Sequence, residues 1–176
     1  PDIFELLRGK KNADGSYEKQ PVIVQGITGK FGSVHTKLML EYGTNIAAGV
    51  TPGKGGQKFQ DVPIYETMKE AVTTSKAKIS IVFVPAKFFL EAAREAFEAG
   101  IKLLIAIPEH VPVRDAMQAI EIAKQNNAIM IGPNTPGVII PGLIKIGIMP
   151  ASPFMHGNIA VLSKSGTLLY EISNNL

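Results

Sequence analysis

The 176-residue chain has no cysteine and no tryptophan. Without thiols there is no disulfide framework, no cysteine-ligated zinc, no thiol nucleophile and no iron–sulfur cluster. Charge of one sign is also lacking. Eighteen Lys and Arg against fifteen Asp and Glu leave a formal +3, scattered along the chain, so no basic patch marks a nucleic-acid surface. No apolar run reaches membrane-spanning length: Ile101–Pro108 and Pro136–Ile144 are interrupted by Lys, Pro or Gly well short of the roughly 20 residues a bilayer needs. The first twenty residues hold no apolar stretch of the signal-peptide kind. The three histidines, His35, His110 and His156, are far apart and lack metal-ligand spacing. What the chain does have is 45% apolar residues, which supports a buried core and excludes disordered and collagen-like classes. It also has 17 glycines and 12 prolines, and their placement organises the rest of the reading.

Residues 1–20 read as an appended arm, with a short apolar stretch followed by the turn-rich Asn12-Ala13-Asp14-Gly15-Ser16. From Pro21 the pattern changes. Val22-Ile23-Val24 is a continuous apolar run suited to a buried parallel strand. A glycine loop follows, and then Val34, Leu38, Met39 and Tyr42 recur at helical spacing before Gly43. The same alternation predicts strands at Ile46–Val50, Ile79–Val84, Leu103–Ile107 and Ala128–Ile131. Helices are expected around Met68–Val72, through Phe89, Ala93 and Phe97, and from Pro112 with Ala116, Ile120 and Ala123 on one face. Strands alternating with helices predict an α/β, Rossmann-like, doubly wound parallel sheet over residues 21–150. A further strand at Gly157–Ser163 with a helix after it would begin a second domain at residues 151–176, and the chain is expected to be part of a longer one.

Four segments carry candidate chemistry. The first is the loop Gly26-Ile27-Thr28-Gly29-Lys30-Phe31-Gly32, between the first strand and the first helix of the sheet. Glycine lets backbone approach a phosphate there, and the helix N-terminus favours an anion; the same glycines would also serve turn geometry alone. The spacing differs from the dinucleotide fingerprint, and no acid lies between Glu41 and Asp61 to hold the ribose of NAD. The second is Pro52-Gly53-Lys54-Gly55-Gly56 at the tip of the second strand. Lys54 there suits a phosphate monoester, as on coenzyme A or NADP, or is an ordinary solvated lysine. The fourth strand ends in Ile107-Pro108-Glu109, where ligands of open α/β sheets bind; Glu109 would equally serve as a first-turn helix acid. The last is Ser163-Lys164-Ser165-Gly166-Thr167, with Tyr170 beyond it, where hydroxyls and a fresh helix start offer an anion site, though N-capping accounts for one hydroxyl. No Ser-His-Asp order, paired carboxylates or Walker sequence accompanies them.

Taken together, Gln25–Lys30, Tyr42–Thr44, Gly49–Gly56, Ile131–Gly137, Lys145–Pro150 and Ser163–Glu171 resemble, in order and spacing, the alpha subunits of the succinate–CoA ligase family. Its wider superfamily includes malate–CoA ligase, citryl-CoA synthetase and ATP-citrate lyase. The resemblance runs from about residue 21 to the end, and it implies a CoA-binding Rossmann-like domain followed by a flavodoxin-like ligase domain that begins at residues 151–176. It implies that coenzyme A is held by Thr28, Gly29, Lys30 and Phe31, by Lys54, and by Ile107, Pro108 and Glu109. It implies that Ser163, Ser165, Gly166, Thr167 and Tyr170 face the phosphoryl and carboxylate substrates. A beta subunit carrying the Mg-nucleotide would be the partner, a small carboxylate the second substrate, and the cytoplasm, or the mitochondrial matrix in a eukaryote, the location. The family passes phosphate from ATP or GTP through a histidine to the carboxylate, and CoA then displaces it. That histidine lies in a Gly-His-Ala-Gly motif beyond Leu176, so no catalytic residue and no metal site are assigned here. Phe31 and Pro108 stand where the family usually has a polar residue and a threonine. The competing readings are a non-catalytic CoA-binding module and an NADP-dependent oxidoreductase domain.

Overall fold

The computed structural model describes residues 1–176. Its centre is a parallel sheet of six strands: β1 (Val22–Gln25), β2 (Ile46–Val50), β4 (Val62–Tyr65), β5 (Ile79–Val82), β6 (Leu103–Ala106) and β7 (Ile129–Ile131). A two-residue strand, β3 (Lys58–Phe59), joins the edge antiparallel to β4. The order across the sheet is β3-β4-β2-β1-β5-β6-β7. The chain therefore winds outward from β1 through β2 to β4, returns to β5 beside β1, and winds outward again. The connections after β1 and β5 leave in opposite directions, which opens a crevice at the carboxyl ends of these two strands.

The strands form where the sequence is apolar at consecutive positions, because helices cover both faces. All four residues of β1, β5 and β6 are buried, and alternate residues feed two cores. On one face Ile23, Val82, Leu104 and Ala106 pack with Ala93, Ala96, Phe97, Ala119 and Ile122. These come from α4 (Phe89–Glu98) and α5 (Val113–Gln125), with α3 (Met68–Ser75) alongside. On the other face Val22, Val24, Ile79, Ile81, Leu103 and Ile105 pack with Met39 of α2 (Lys30–Glu41).

The second face is completed by an antiparallel hairpin, β8 (Gly137–Ile140) and β9 (Ile144–Gly147), which the apolar run at Pro136–Ile144 had not disclosed. Ile144 and Ile146 enter the core. Four bonds fasten the hairpin to α2 and the residues just after it: Thr44 Oγ1 donates to the Lys145 carbonyl at 2.7 Å and accepts from the Lys145 N–H at 3.2 Å, the Gly147 N–H reaches the Met39 sulfur at 3.4 Å, and the Gly142 N–H donates to Tyr42 Oη at 3.0 Å.

The structure corrects several expectations. In α2 the inward residues are Gly32, Thr36 and Met39, whereas Val34 and Leu38 are 54% and 40% exposed; the helix turns its small residues to the sheet because it must lie close to the β1 loop. In α5 the buried face is Ala119, Ile122 and Ala123, and Ile120 points outward. The amino-terminal arm is not free of the core: α1 (Ile3–Arg8), capped by Asp2, buries Leu7 beside Ile144. The expected strand at Gly157–Ser163 does not form, since residues 157–163 have no neighbouring strand to take their N–H and C=O groups. The helix after it, α6 (Gly166–Asn174), does form and buries no residue.

A candidate anion-binding crevice

The loop Gly26–Gly29 leaves β1 at the crevice and runs straight into α2. Gly26 has φ +78°, a left-handed conformation that glycine adopts without a Cβ penalty. Its N–H donates to the Val50 carbonyl at 2.8 Å, and the Gly29 N–H closes a turn on the Gly26 carbonyl at 3.0 Å. Gly32 then packs so closely that a Cβ on it would collide with the Gly26 carbonyl oxygen. The helix start is thereby drawn onto the end of β1.

This helix start is unfilled. Gly29 stands at the N-cap with no side-chain bond to the helix. Ser33 is the first residue whose N–H finds a carbonyl, that of Gly29 at 2.8 Å, and the N–H groups of Lys30, Phe31 and Gly32 meet no protein acceptor. By contrast, α3 is filled by its own neighbours: Thr67 accepts from the Glu70 N–H at 3.3 Å and Glu95 from the Met68 N–H at 2.7 Å. Unpaired N–H groups with the positive end of the helix dipole behind them form an anion seat.

The tip of β2 lies beside this seat. Thr28 Oγ1 and Thr51 Oγ1 are 3.3 Å apart, so the structure brings Thr28, Gly29, Lys30 and Phe31 to the loop that carries Lys54. Pro52 and Gly53, the latter at φ +79°, make a turn closed by the Lys54 N–H on the Thr51 carbonyl at 3.1 Å. Lys54 is exposed at its end and takes part in no ion pair. Phe31 is 52% exposed and meets Phe83 edge-on, with ring centroids 5.9 Å apart; His35 stacks on the same Phe83 ring. These rings give the crevice an apolar wall.

The end of β6 contributes less side-chain chemistry than expected. Ile107 turns into the core, and its N–H donates to the Val82 carbonyl at 3.3 Å. The Pro108 carbonyl accepts from the Asn134 N–H at 2.9 Å, which ties this end to the loop after β7. Glu109 is exposed, with His110 at 3.9 Å. The Ser163–Tyr170 segment is not joined to the crevice by any hydrogen bond. Ser165 caps α6 by accepting from the Leu168 N–H at 3.3 Å, and Ser163 Oγ bonds the N–H and carbonyl of Ser165, each at 3.0 Å. Gly166 approaches Pro136. Tyr170 packs edge-on to Phe154, and burial raises its phenol pKa. Thr167 is exposed, and its hydroxyl makes no hydrogen bond.

Two residues at the crevice escaped the sequence reading. Phe83 follows β5 and closes the apolar wall. Glu66 follows β4, and both of its carboxylate oxygens face the Gly53 N–H, at 2.9 and 2.7 Å. The signal is topological: Glu66 follows not β2 but β4, the strand paired beside it.

Known proteins carry the same architecture. The chain is 50% identical over 159 residues to succinate–CoA ligase [ADP-forming] subunit alpha 2 of Archaeoglobus fulgidus, covering 90% of this chain and 55% of that one. It is 50% identical over 157 residues to the alpha subunit of the same ligase from Aquifex aeolicus, covering 88% and 52%. It thus spans about half the length of the curated relatives it matches. Among solved structures, ATP citrate lyase from Methanothrix soehngenii, in complex with citrate and coenzyme A, superposes with a TM-score of 0.73 at 22% identity, over 89% of this chain and 29% of that one. A dinucleotide forming acetyl-coenzyme A synthetase from Ca. Korarchaeum cryptofilum gives 0.75 at 17% identity, over 99% and 37%. Both share the fold. The match of residues 17–110, which hold β1 to β6 and the unfilled helix start, to the CoA binding domain places this chain in the CoA-binding domain family.

Proposed function

We propose that this chain is the CoA-binding part of the alpha subunit of an ADP-forming succinate–CoA ligase. The observation that carries the reading is the set of three unpaired N–H groups at Lys30, Phe31 and Gly32, set beside an exposed lysine on a glycine turn. The N–H groups suit the diphosphate of CoA, because they deliver partial positive charge without a side chain to reorganise. Lys54 suits the 3′-phosphate of the ribose, a dianion that NAD lacks. Phe31 and Phe83 offer an apolar surface to the uncharged pantetheine arm, while Ile107, Pro108 and Glu109 border the crevice through backbone and one exposed carboxylate.

In the reaction proposed for the whole ligase, a carboxylate, CoA and a nucleoside triphosphate give acyl-CoA, the diphosphate and phosphate. This chain would hold CoA while phosphohistidine chemistry proceeds on residues beyond Leu176 and on a beta subunit that binds the Mg-nucleotide. Residues 151–176 would begin the next domain, with Ser163, Ser165, Gly166, Thr167 and Tyr170 turned to the phosphoryl and carboxylate groups once its neighbours are present. Supporting this, α6 buries nothing of its own, as expected of a helix whose packing partners lie elsewhere.

Titration calorimetry with CoA, dephospho-CoA and NADP tests the binding reading. CoA should bind best, and loss of the 3′-phosphate should weaken it about tenfold or more, the scale of a charge-assisted contact. Tight binding of NADP with none of CoA would overturn it.

A further inference from the structure

Resting on the CoA reading above, the geometry points to Glu66 as a positioning residue that sets recognition of the terminal phosphate by holding the Lys54 loop in shape. The backbone N–H groups of that loop can be accounted for one by one. Thr51 donates to the Tyr65 carbonyl at 3.2 Å, Lys54 to Thr51 at 3.1 Å, Gly56 to Ile64 at 2.9 Å and Gln57 to Lys54 at 3.2 Å. Pro52 has no N–H. Gly53 donates to the Glu66 carboxylate. Gly55 alone keeps an N–H without an acceptor. The loop thus presents one free N–H next to one free ammonium, which fits a single phosphate monoester.

Glu66 is itself held from behind. Its own N–H donates to a Glu70 carboxylate oxygen at 3.2 Å, and the Glu70 N–H is capped by Thr67. A line of contacts therefore runs from the start of α3 through Glu66 to the glycine turn. The turn rests directly on this side chain: a Cβ on Gly55 would lie 3.1 Å from Glu66 Cγ and 3.2 Å from its backbone nitrogen. Gly53 and Gly56, both at φ +79°, give a loop with many unfolded alternatives, so one charged acceptor on its middle N–H restricts it substantially. Glu66 needs no contact with ligand to do this.

The test is titration of CoA and dephospho-CoA into the full chain and into Glu66→Ala and Glu66→Gln variants, with melting curves for each. Glu66→Ala should weaken CoA about 3- to 10-fold, the net value of one hydrogen bond, and leave dephospho-CoA unchanged. Glu66→Gln keeps an acceptor oxygen for the Gly53 N–H and should recover most of the loss. The inference is overturned if Glu66→Ala binds CoA as the parent does, if it binds CoA more tightly, if both ligands weaken equally, or if Glu66→Gln is as poor as Glu66→Ala. A parent chain that does not distinguish CoA from dephospho-CoA would instead defeat the assignment of Lys54, a different and earlier failure.

Discussion

Gly49 is the socket for Ile27. A Cβ on Gly49 would lie 2.5 Å from Ile27 Cγ2 and 2.8 Å from its Cδ1, so β2 must lack a side chain at that point for the first residue after Gly26 to bury itself. Gly49→Ala is expected to destabilise the fold by about 1–3 kcal/mol, the cost of overpacking a close-packed core. It should also loosen the anion seat, since Ile27 anchors the loop that forms it. Denaturant melts paired with CoA titration check both effects; unchanged melting would mean that Ile27 is not confined as described.

Two substitutions at the crevice separate its two anion sites. Lys54→Met should weaken CoA and leave dephospho-CoA untouched, because it removes only the free ammonium. Gly32→Ala should weaken both ligands alike, since its Cβ forces α2 away from the Gly26 carbonyl and moves the N–H groups that both would use. Calorimetric titration of the two ligands against the two variants reads the pattern directly, and a Lys54→Met variant that loses both equally would contradict the division.

A pH dependence follows from His35. Burial, with Lys145 adding to it, holds the imidazole pKa below its usual 6.5, and its Nδ1 is buried without a partner. The unfolded chain therefore takes up this proton first as pH falls, so stability is full above about 6.5 and declines as the medium is acidified from there toward the folded-state value. His35→Leu should remove this acid-side decline. Melting temperatures between pH 7 and pH 5 measure it; an identical slope in the variant would assign the effect elsewhere. Lys145, whose pKa is lowered by burial and partly restored by Glu41, acts on the alkaline side, where stability should rise as pH climbs toward 10.5.

The arm at residues 1–20 offers another measurement. Leu7 is 5% exposed and packs into the same core as β1 and β9. Leu7→Ala should cost about 2–4 kcal/mol, the usual range for a buried leucine, whereas a detached arm would make the change neutral. Chemical denaturation of the variant decides between them.

The central sheet was legible because its strands are consecutive apolar residues, and consecutive burial is what two covered faces demand. The helices were legible in position but not in rotation. In α2, Val34 and Leu38 have the spacing of a core face, yet the closeness imposed by Gly26 admits only Gly32 and Thr36 beside the loop, and of the expected residues Met39 enters the core. The β8–β9 hairpin escaped notice because a short apolar run with an internal Pro-Gly is equally an interrupted strand. At the crevice, the glycine loop and Lys54 could be read because each follows its own strand directly. Glu66 could not, because the Gly53 N–H it accepts from lies thirteen residues away and only sheet order brings them together.

Thr67 and Glu95 occupy N–H groups at the α3 start, whereas those of Lys30, Phe31 and Gly32 at the α2 start stay free. A ligand with phosphate at both ends could lie either way along a groove with two equivalent seats. Here one end is a row of backbone N–H groups with fixed spacing, and the other is the exposed Lys54 ammonium with a single N–H beside it. A diphosphate and a monoester are not interchangeable between such ends. The molecule can therefore sort a ligand head from tail before any side chain touches the part between them.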